Sequence, residues 1–282
     1  QDQIIIETRD FLRAIETGKP VWPTFRDGLA VNQIVAAAFA SSRSKSWQSI
    51  DTVEQAKSFL YPSMDQLHDP FLLTDSEVAI DRLLTAIEKR ERIAIHGDYD
   101  VDGVTATVLL RRLFELMGAD VMHYIPHRMS DGYGLQASGI DRLHAEGAKV
   151  VVSVDCGIRS LDAARRAREL GIDLIVTDHH EPADVLPRAL AVINPRRRDS
   201  DYPDPNLSGA GVAFKIAQGI CIRAAHIDWV SALLKIAAIG TVADVVPLRG
   251  ENRVIASLGL EALTVGVHTK GLQALLEVCG LT

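Results

Sequence analysis

Short apolar runs alternate with amphipathic stretches through the middle of the chain, and this alternation limits the possible folds more than any other feature. Helical periodicity separates the first four runs, over residues 104–117, 137–147 and 160–170. Strands that alternate with helices of this length form βαβ units with parallel strands. The runs are "RIAI", "DVMHYI", "KVVVSV", "DLIVT" and "LAVI", at residues 92–95, 120–125, 149–154, 173–177 and 190–193.

The pattern predicts an α/β fold in which a parallel βαβ sheet is flanked by helices. The stretch "SEVAIDRLLTAIEKRE", residues 76–91, adds an amphipathic helix before the first strand, with Ser76 as a candidate N-cap. The last third of the chain is helical in pattern. We predict that residues 1–75 form a helical segment packed on the core, and that residues 76–282 form one domain with a helical C-terminal part.

Composition excludes several classes of protein. The chain has 282 residues, 47% of them hydrophobic, which is enough for a large core. Its three cysteines have no metal-finger spacing, and an odd number argues against a disulfide framework. With no recognisable signal peptide, we predict a reducing, cytoplasmic location. The most apolar stretch contains a lysine and an aspartate, so no membrane span is predicted.

Residue types that bind metals follow three of the predicted strands. The carboxyl ends of strands in open α/β sheets form binding sites, so these side chains are expected at one edge of the sheet. Carboxylates and imidazoles without a thiolate cluster suit Mn²⁺ or Mg²⁺ better than structural zinc. The residues are Asp98, Asp100 and Asp102 after the first strand, Asp155 after the third, and Asp178, His179 and His180 after the fourth.

Each group taken alone also has a plainer interpretation. The alternating aspartates of "HGDYDVDGVTA", residues 96–106, fit a solvated acidic turn at a helix N-terminus, where the macrodipole favours negative charge. If the strand continues through them, the three carboxylates share one face, ~6.6 Å apart along the chain. Asp155 fits an ordinary turn, and Asp178 fits a helix cap. The agreement of three strands on one edge favours a metal site. The net charge of −7 disfavours a general polyanion binder, but bound cations would reverse the local sign.

Four segments, "DYDVDG", "VDCGI", "VTDHH" and "GTVADVVPL", resemble in order and spacing the four motifs of the DHH phosphoesterase superfamily. The further segments "LHDPFLL", "IPHRMSDGYG", "INPRR" and "SGAGVAF" resemble the RecJ-like branch, which are bacterial single-strand-specific 5′→3′ exonucleases. The resemblance covers roughly residues 60–282. It identifies residues 76–282 as a DHH catalytic domain, and it implies an enzyme of DNA repair and recombination.

The resemblance implies a centre with two Mn²⁺ (or Mg²⁺) ions. Asp244 is implied only in this way, because from the residues alone it reads as a loop acid or an N-cap. His96 has the spacing of a motif-one histidine in related pyrophosphatases, so either His96 or Asp98 could face the metal. The implied ligands are Asp98, Asp100, Asp102, Asp155, His179 and Asp244.

Roles for other residues follow from the same resemblance. Asp155 is suited to bridge the ions, and Asp178 to orient a neighbouring histidine or water. His180 is expected to contact the scissile phosphate or to protonate the leaving oxygen, and to point away from its neighbour His179. Arg128 is a candidate clamp on substrate phosphate. Arg196, Gly209 and Gly211 are candidate contacts to the substrate backbone, with solvated-loop or helix-packing roles as the alternatives.

The RecJ-like family also has a DHH-associated domain and an oligonucleotide-binding module, and no segment here resembles either, so both are predicted to be missing. The implied substrate is single-stranded DNA, and the implied protein partners are a single-strand-binding protein and a helicase. Two other functions compete with this one. The chain could be a DHH enzyme on small substrates, such as short oligonucleotides, a cyclic dinucleotide or pyrophosphate. It could also be an inactive DHH-fold scaffold in replication, although the complete set of acids and histidines argues against that.

Overall fold

The structure is a computed structural model that describes residues 58–129, 131–132 and 134–280. These residues belong almost entirely to the second of two compact units, Pro62–Thr282. Most of the predicted helical segment 1–75 lies outside the described residues, so its packing on the core stays a prediction. Its described end contains two short 3₁₀ turns, at Met64–Gln66 and Pro70–Leu72, and Leu73 is buried in the core.

The five predicted strands form one sheet in which every pair of neighbours is parallel. The order across the sheet is β2-β1-β3-β4-β5, which confirms the predicted α/β architecture. The bounds are β1 (Ile93–Gly97), β2 (Val121–Tyr124), β3 (Val150–Val154), β4 (Asp173–Thr177) and β5 (Ala191–Ile193).

Helices cover both faces of the sheet, and those after β5 make up the helical C-terminal part. A further 3₁₀ turn lies at Ile227–Trp229. The bounds are α1 (Ser76–Glu88), α2 (Val101–Leu116), α3 (Ala137–Ala145), α4 (Leu161–Glu169), α5 (Gly209–Arg223), α6 (Val230–Ala243), α7 (Gly250–Val265) and α8 (Lys270–Val278).

Alternate residues of the strands pack into two apolar cores. Ile93 and Ile95 of β1 face the larger core, which contains α1, α2, α5 and α6. Ala94 of the same strand faces the smaller core, which contains α3 and α4. The central strands are therefore buried on both faces, which explains why their sequences are continuously apolar.

The register of the sheet aligns the carboxyl ends of three adjacent strands. Gly97 of β1 is opposite Val154 of β3, and Val154 is opposite Thr177 of β4. The next residues along the chain are Asp98, Asp155 and Asp178. Strand order and register together therefore bring the three predicted metal-binding segments to one edge.

The helix after β1 begins three residues earlier than the periodicity predicts. It starts at Val101, and Asp100 is its N-cap, with a side chain that accepts a hydrogen bond from the N–H of Gly103 at 2.9 Å. The alternative in which the strand continues through the three aspartates is therefore wrong. The capping bond ends the strand at Gly97 and places Asp102 in the first helical turn.

One buried ion pair connects α5, α7 and the segment before α1. Lys215 Nζ lies 2.7 Å from Glu251 Oε1, and neither side chain has any solvent exposure. The Lys215 ammonium also donates to the carbonyl of His68, and the Glu251 carboxylate accepts from the backbone N–H of His68 and from the hydroxyl of Tyr202. Both charged groups therefore have several partners. Within the described part of the chain, no helix has the length and apolar character needed to cross a membrane.

Candidate metal centre

The loops at the carboxyl edge of the sheet, together with the end of α6, bring seven carboxylate and imidazole side chains together. Among the residues that the structure describes, three groups of possible ligand atoms occur, and within each group all the atoms lie within 4.8 Å of one another. The groups are Asp98, Asp100 and Asp155; Asp102, His179 and Asp244; and Asp155, His179 and His180. We call these seven residues the acid cluster. All six predicted metal ligands belong to it.

Asp102 is held at the N-terminus of α5. Its two carboxylate oxygens accept hydrogen bonds from the backbone N–H groups of Gly209, at 2.6 Å, and Ala210, at 2.8 Å. Ser208 caps the same helix by accepting from the N–H of Gly211 at 3.0 Å. The first N–H groups of a helix have no acceptor within the helix, so these groups and the helix dipole stabilise a carboxylate at this position. The predicted contacts of Gly209 and Gly211 with substrate phosphate stay predictions.

Asp155 occupies the centre of the cluster in a strained backbone conformation. Its φ of 60° lies in the left-handed region, which is uncommon for a residue other than glycine and is concentrated at functional sites. Its side chain is buried, and among the described residues Oδ1 accepts no hydrogen bond, although Nε2 of His179 lies 3.1 Å away. Gly209 permits this arrangement, since a Cβ there would lie 2.5 Å from Oδ1 of Asp155.

His179 points its Nε2 atom at three of the acids. The distances are 3.1 Å to Asp155 Oδ1, 3.7 Å to Asp244 Oδ2 and 3.8 Å to Asp102 Oδ2. The ring is largely buried, and its Nδ1 atom has no hydrogen-bond partner among residues 58–129, 131–132 and 134–280. Asp244, at the C-cap of α6, is partly exposed, and it joins the cluster because α6 packs against α2.

Both carboxylate oxygens of Asp178 accept hydrogen bonds from the protein. Oδ2 accepts from the N–H of Ile158 at 2.9 Å, and Oδ1 accepts from the N–H groups of His179 and His180. The imidazole Nδ1 of His180 also lies 2.8 Å from Oδ1. This geometry suits Asp178 to orienting His180.

The prediction that His179 and His180 diverge is wrong. Their ring centroids are 4.5 Å apart, and both rings supply possible ligand atoms near Asp155. The reason is the contact with Asp178, which turns the His180 ring back toward the cluster. Strand β4 ends at Thr177 and the chain bends at His180, so the alternation of side chains in a strand does not apply to this segment.

Burial and like charge raise the pKa values of most acids in the cluster. The pKa of Asp155 rises to about 10, first because of burial and then because of the carboxylates of Asp102, Asp100 and Asp178. Burial raises the pKa of Asp102 to about 6, although the N–H of Ala210 counteracts the shift. Burial also raises the pKa values of Asp98 and Asp244.

The pair formed by Asp178 and His180 behaves differently. Burial alone would raise the pKa of Asp178, but the hydrogen bond and charge of His180 reverse the shift, and the pKa is lowered. The bond to Asp178 in turn raises the pKa of His180 to about 9. These shifts favour a carboxylate–imidazolium pair.

The donor set fits a hard divalent cation. Its atoms are carboxylate oxygens with one or two imidazole nitrogens, which is the ligand type of Mn²⁺ and Mg²⁺ sites. The unpartnered Oδ1 of Asp155 and Nδ1 of His179 are buried polar atoms of a kind that is rare without a bound group. Positive charge in the cluster would also relieve the repulsion that raises the pKa of Asp155.

His96 lies apart from the acid cluster. Its Nδ1 is 3.7 Å from Cys156 Sγ, and its ring meets the ring of Tyr124 edge-on. Burial lowers the pKa of His96 to about 4. Of the two motif-one alternatives, it is Asp98 whose carboxylate joins a group of possible ligand atoms.

Residues 92–241 match the family described as "DHH family, N-terminal domain". That range is more than half of the chain. The chain belongs to the DHH family.

Two curated relatives are named single-stranded-DNA-specific exonuclease RecJ. The protein from Bacillus subtilis (strain 168) is 40% identical over 230 residues, which is 82% of this chain and 28% of the relative. The protein from Escherichia coli (strain K12) is 40% identical over 217 residues, which is 73% of this chain and 38% of the relative. The chain thus spans about a third of the length of these curated relatives.

The fold is similar to that of a crystal structure of exonuclease RecJ bound to manganese. The TM-score is 0.70 at 35% sequence identity, and the similarity covers 78% of this chain and 55% of that one. Two independent comparisons, of sequence and of structure, therefore relate the chain to the RecJ members of the DHH family.

Two predicted substrate contacts of the DHH domain lie near the cluster. The guanidinium of Arg128, in the loop after β2, is 5.2 Å from the ring centroid of Tyr99, which stands between Asp98 and Asp100. Arg196 is close enough to Asp244 for its charge to counteract the rise in the pKa of that carboxyl. Its Nε donates to the carbonyl of Pro205.

Sequence reasoning missed contacts that depend on helix packing. The N–H of Ala210 binds Asp102, and Gly240 of α6 lets that helix approach, since a Cβ there would lie 2.8 Å from Asp102 Oδ1. Ala210 lies in "SGAGVAF", which resembles the RecJ-like branch, and Gly240 lies in "GTVADVVPL", which resembles a DHH motif. Those segments were the available signal, but nothing in them identifies Asp102 as the contacted residue.

Proposed function

We propose that this chain is the catalytic part of an exonuclease that hydrolyses single-stranded DNA from the 5′ end with two Mn²⁺ or Mg²⁺ ions. The observation that carries the proposal is the complete acid cluster at the strand ends, in a chain that is 40% identical to RecJ exonucleases over 230 residues. The complete set of acids and histidines argues against an inactive scaffold.

The cations would be held by Asp98, Asp100, Asp102, Asp155, His179 and Asp244. Two divalent ions in such a site activate water as a nucleophile and neutralise charge on the phosphodiester. Asp155 is central to the assignment because it belongs to two of the three groups of ligand atoms. A carboxylate in that position is suited to contact both ions.

His180 is suited to the proton transfer. Its Nδ1 is engaged by Asp178, and the pair favours the protonated ring, so the remaining ring nitrogen carries a proton. His180 is also half-exposed, unlike the buried His179. We assign it the contact with the scissile phosphate or the protonation of the leaving 3′-oxygen, with Asp178 holding the ring.

Arg128 and Arg196 are proposed to bind phosphates of the DNA backbone. Both lie at the rim of the cluster, and a guanidinium matches the geometry of phosphate oxygens. Gly209 and Gly211 are proposed to let the DNA backbone approach the N-terminus of α5, although their own N–H groups donate to Asp102 and Ser208. From the family resemblance we also propose a cytoplasmic location and partnership with a single-strand-binding protein and a helicase.

The test uses one single strand labelled at its 5′ end and the same strand labelled at its 3′ end, each with Mn²⁺. The proposal predicts immediate release of the 5′ label in small products and gradual shortening of the 3′-labelled strand. Asp155→Ala should remove the activity. The matched control Asp162→Ala, at an exposed aspartate of α4, should retain it. Cleavage of pyrophosphate or dinucleotides alone would contradict the proposal and favour a small-substrate enzyme.

A further inference from the structure

The loop after β2 is tied to that strand by one carboxylate. Asp131 Oδ2 accepts a hydrogen bond from the hydroxyl of Tyr124 at 2.7 Å and another from the backbone N–H of His127 at 2.9 Å. The N–H of Asp131 donates to the carbonyl of His127 at 2.9 Å. His127 and Asp131 are thus joined through backbone and side chain and bound to the end of the strand, and we call the described residues 127–129 and 131 the turn.

Tyr124, to which Asp131 is bound, packs against its neighbours at the end of β2. Tyr124 is the last residue of β2 and lies opposite His96 of β1, two residues before Asp98. Its ring meets the ring of His96 edge-on, with centroids 5.4 Å apart, and the guanidinium of Arg142 lies 4.5 Å from its centroid. The hydroxyl therefore projects from a packed ring at a fixed distance from the strand that leads into the acid cluster.

Arg128 directly follows His127 in the turn. Its side chain is exposed, and its guanidinium is 5.2 Å from the centroid of Tyr99, beside the cluster. A long, exposed arginine loses conformational freedom when it binds a phosphate, and a fixed backbone beneath it reduces that loss. The turn thus supplies the preorganisation that a phosphate clamp needs.

We propose that Tyr124 and Asp131 are positioning residues, which hold the turn so that Arg128 meets a phosphate of the bound strand. This inference rests on the proposed function, since it deepens the role of Arg128 there. The two residues act on affinity for the strand through Arg128 and take no part in bond cleavage.

The variants separate the hydrogen bonds from the packing around them. Tyr124→Phe removes only the hydroxyl and keeps the ring. Asp131→Ala removes the carboxylate, whereas Asp131→Asn retains an oxygen that can accept both bonds. The matched control is His123→Ala, in the same strand at an exposed position whose imidazole contacts Arg111. Urea unfolding of each variant checks that the fold is retained.

The experiment measures KM and kcat for Mn²⁺-dependent cleavage of a single-stranded oligonucleotide by the full chain. Tyr124→Phe and Asp131→Ala should each raise KM about fivefold to tenfold, the size of one lost hydrogen bond, with kcat within about twofold. Asp131→Asn and His123→Ala should resemble the wild type. In an Arg128→Ala background, Tyr124→Phe should have no further effect, because the bond acts through that arginine.

Two results would overturn the inference. Wild-type KM in Tyr124→Phe and Asp131→Ala would show that the turn needs no anchor, and an undiminished effect of Tyr124→Phe in the Arg128→Ala background would show that it does not act through Arg128. In both cases the wild type still cleaves DNA, so the proposed function stands. A wild type that cleaves no strand contradicts the proposed function and this inference together.

Discussion

Two buried groups of charged residues in this molecule differ in how they are satisfied. In the ion pair of Lys215 and Glu251, opposite charges lie 2.7 Å apart, and each charged group has further hydrogen-bond partners from the chain. In the acid cluster, five aspartates surround two histidines, and the buried Oδ1 of Asp155 accepts no hydrogen bond from the part of the chain that the structure describes. The protein alone compensates the charges of the first group, and it does not compensate those of the second.

The difference separates a structural role from a functional one. A buried ion pair is tolerated because each charge has its counter-charge and hydrogen bonds. Removing one member of the pair leaves the other charge buried without compensation. A buried cluster of like charge costs folding free energy unless cations neutralise it. Strained backbone at Asp155 adds to that cost. The comparison therefore predicts opposite responses to mutation in the two regions.

The largest expected effect is on hydrolysis by Asp155→Ala. Loss of the acid shared by two groups of ligand atoms should reduce the rate on the order of 10³-fold or more, since even residues that only support metal ligands contribute 10–100-fold. The free energy of unfolding without metal should stay the same or rise, because the folded chain no longer has to keep a proton on a buried carboxyl whose pKa is about 10. The measurements are cleavage of a labelled single strand and urea unfolding in chelator. Full activity of Asp155→Ala would remove the basis of the comparison.

The ion pair should respond in the opposite way. Glu251→Ala leaves the Lys215 ammonium buried without its counter-charge, so we expect the free energy of unfolding to fall by about 3–5 kcal/mol. The acid cluster is untouched, so activity per folded molecule should remain. The matched control is Glu261→Ala, at an exposed position of the same helix. Equal stability of the two variants in urea would mean that the buried pair is not structural.

His180→Ala should have a smaller effect on the rate than Asp155→Ala. We expect a loss on the order of 10²-fold, as when a general acid is removed, with binding of Mn²⁺ retained. Calorimetry of Mn²⁺ binding alongside single-strand cleavage separates the two properties. Loss of a bound ion in His180→Ala, but not in His179→Ala, would reverse the roles assigned to the two rings.

The last expected effect concerns the pH dependence of stability. In the folded chain the pKa is about 10 for Asp155 and about 6 for Asp102, above the ordinary value of 3.8. The folded chain therefore holds more protons than the unfolded chain across this interval. The contribution of these two carboxyls to stability without metal is fully present near pH 4 and is lost as the pH rises toward 10, whereas His96, with its pKa lowered to about 4, opposes the fall only below about pH 6.5. Urea unfolding in chelator at several pH values tests the slope, which should be shallower in Asp155→Ala. A stability that rises with pH would contradict the assigned shifts.

The sheet and most of the acid cluster could be predicted because both depend on local patterns. Apolar runs mark the strands, and parallel order places Asp98, Asp155 and Asp178 at one edge. Asp244 could not be found in this way, because it follows a helix and reaches the cluster only through the packing of α6 on α2. It was identified by resemblance to the family.

Tertiary contacts account for the remaining differences. The turn of His180 toward His179 depends on a bond to Asp178 that no strand periodicity anticipates. Helix α2 starts early because Asp100 caps it. Asp100 is therefore both a helix cap, as the plainer interpretation has it, and a member of the acid cluster. Lys215 and Glu251 are 36 positions apart in sequence, and no local pattern connects them.

The central claim is that the acid cluster is unbalanced because it binds two divalent cations. The most direct test is calorimetric titration of the metal-free chain with Mn²⁺, in parallel with Asp155→Ala and Glu251→Ala. The account predicts two ions per wild-type chain, loss of at least one in Asp155→Ala, and both retained in folded Glu251→Ala. A wild-type chain that binds no Mn²⁺, or an Asp155→Ala chain that binds as many ions as the wild type, would contradict it.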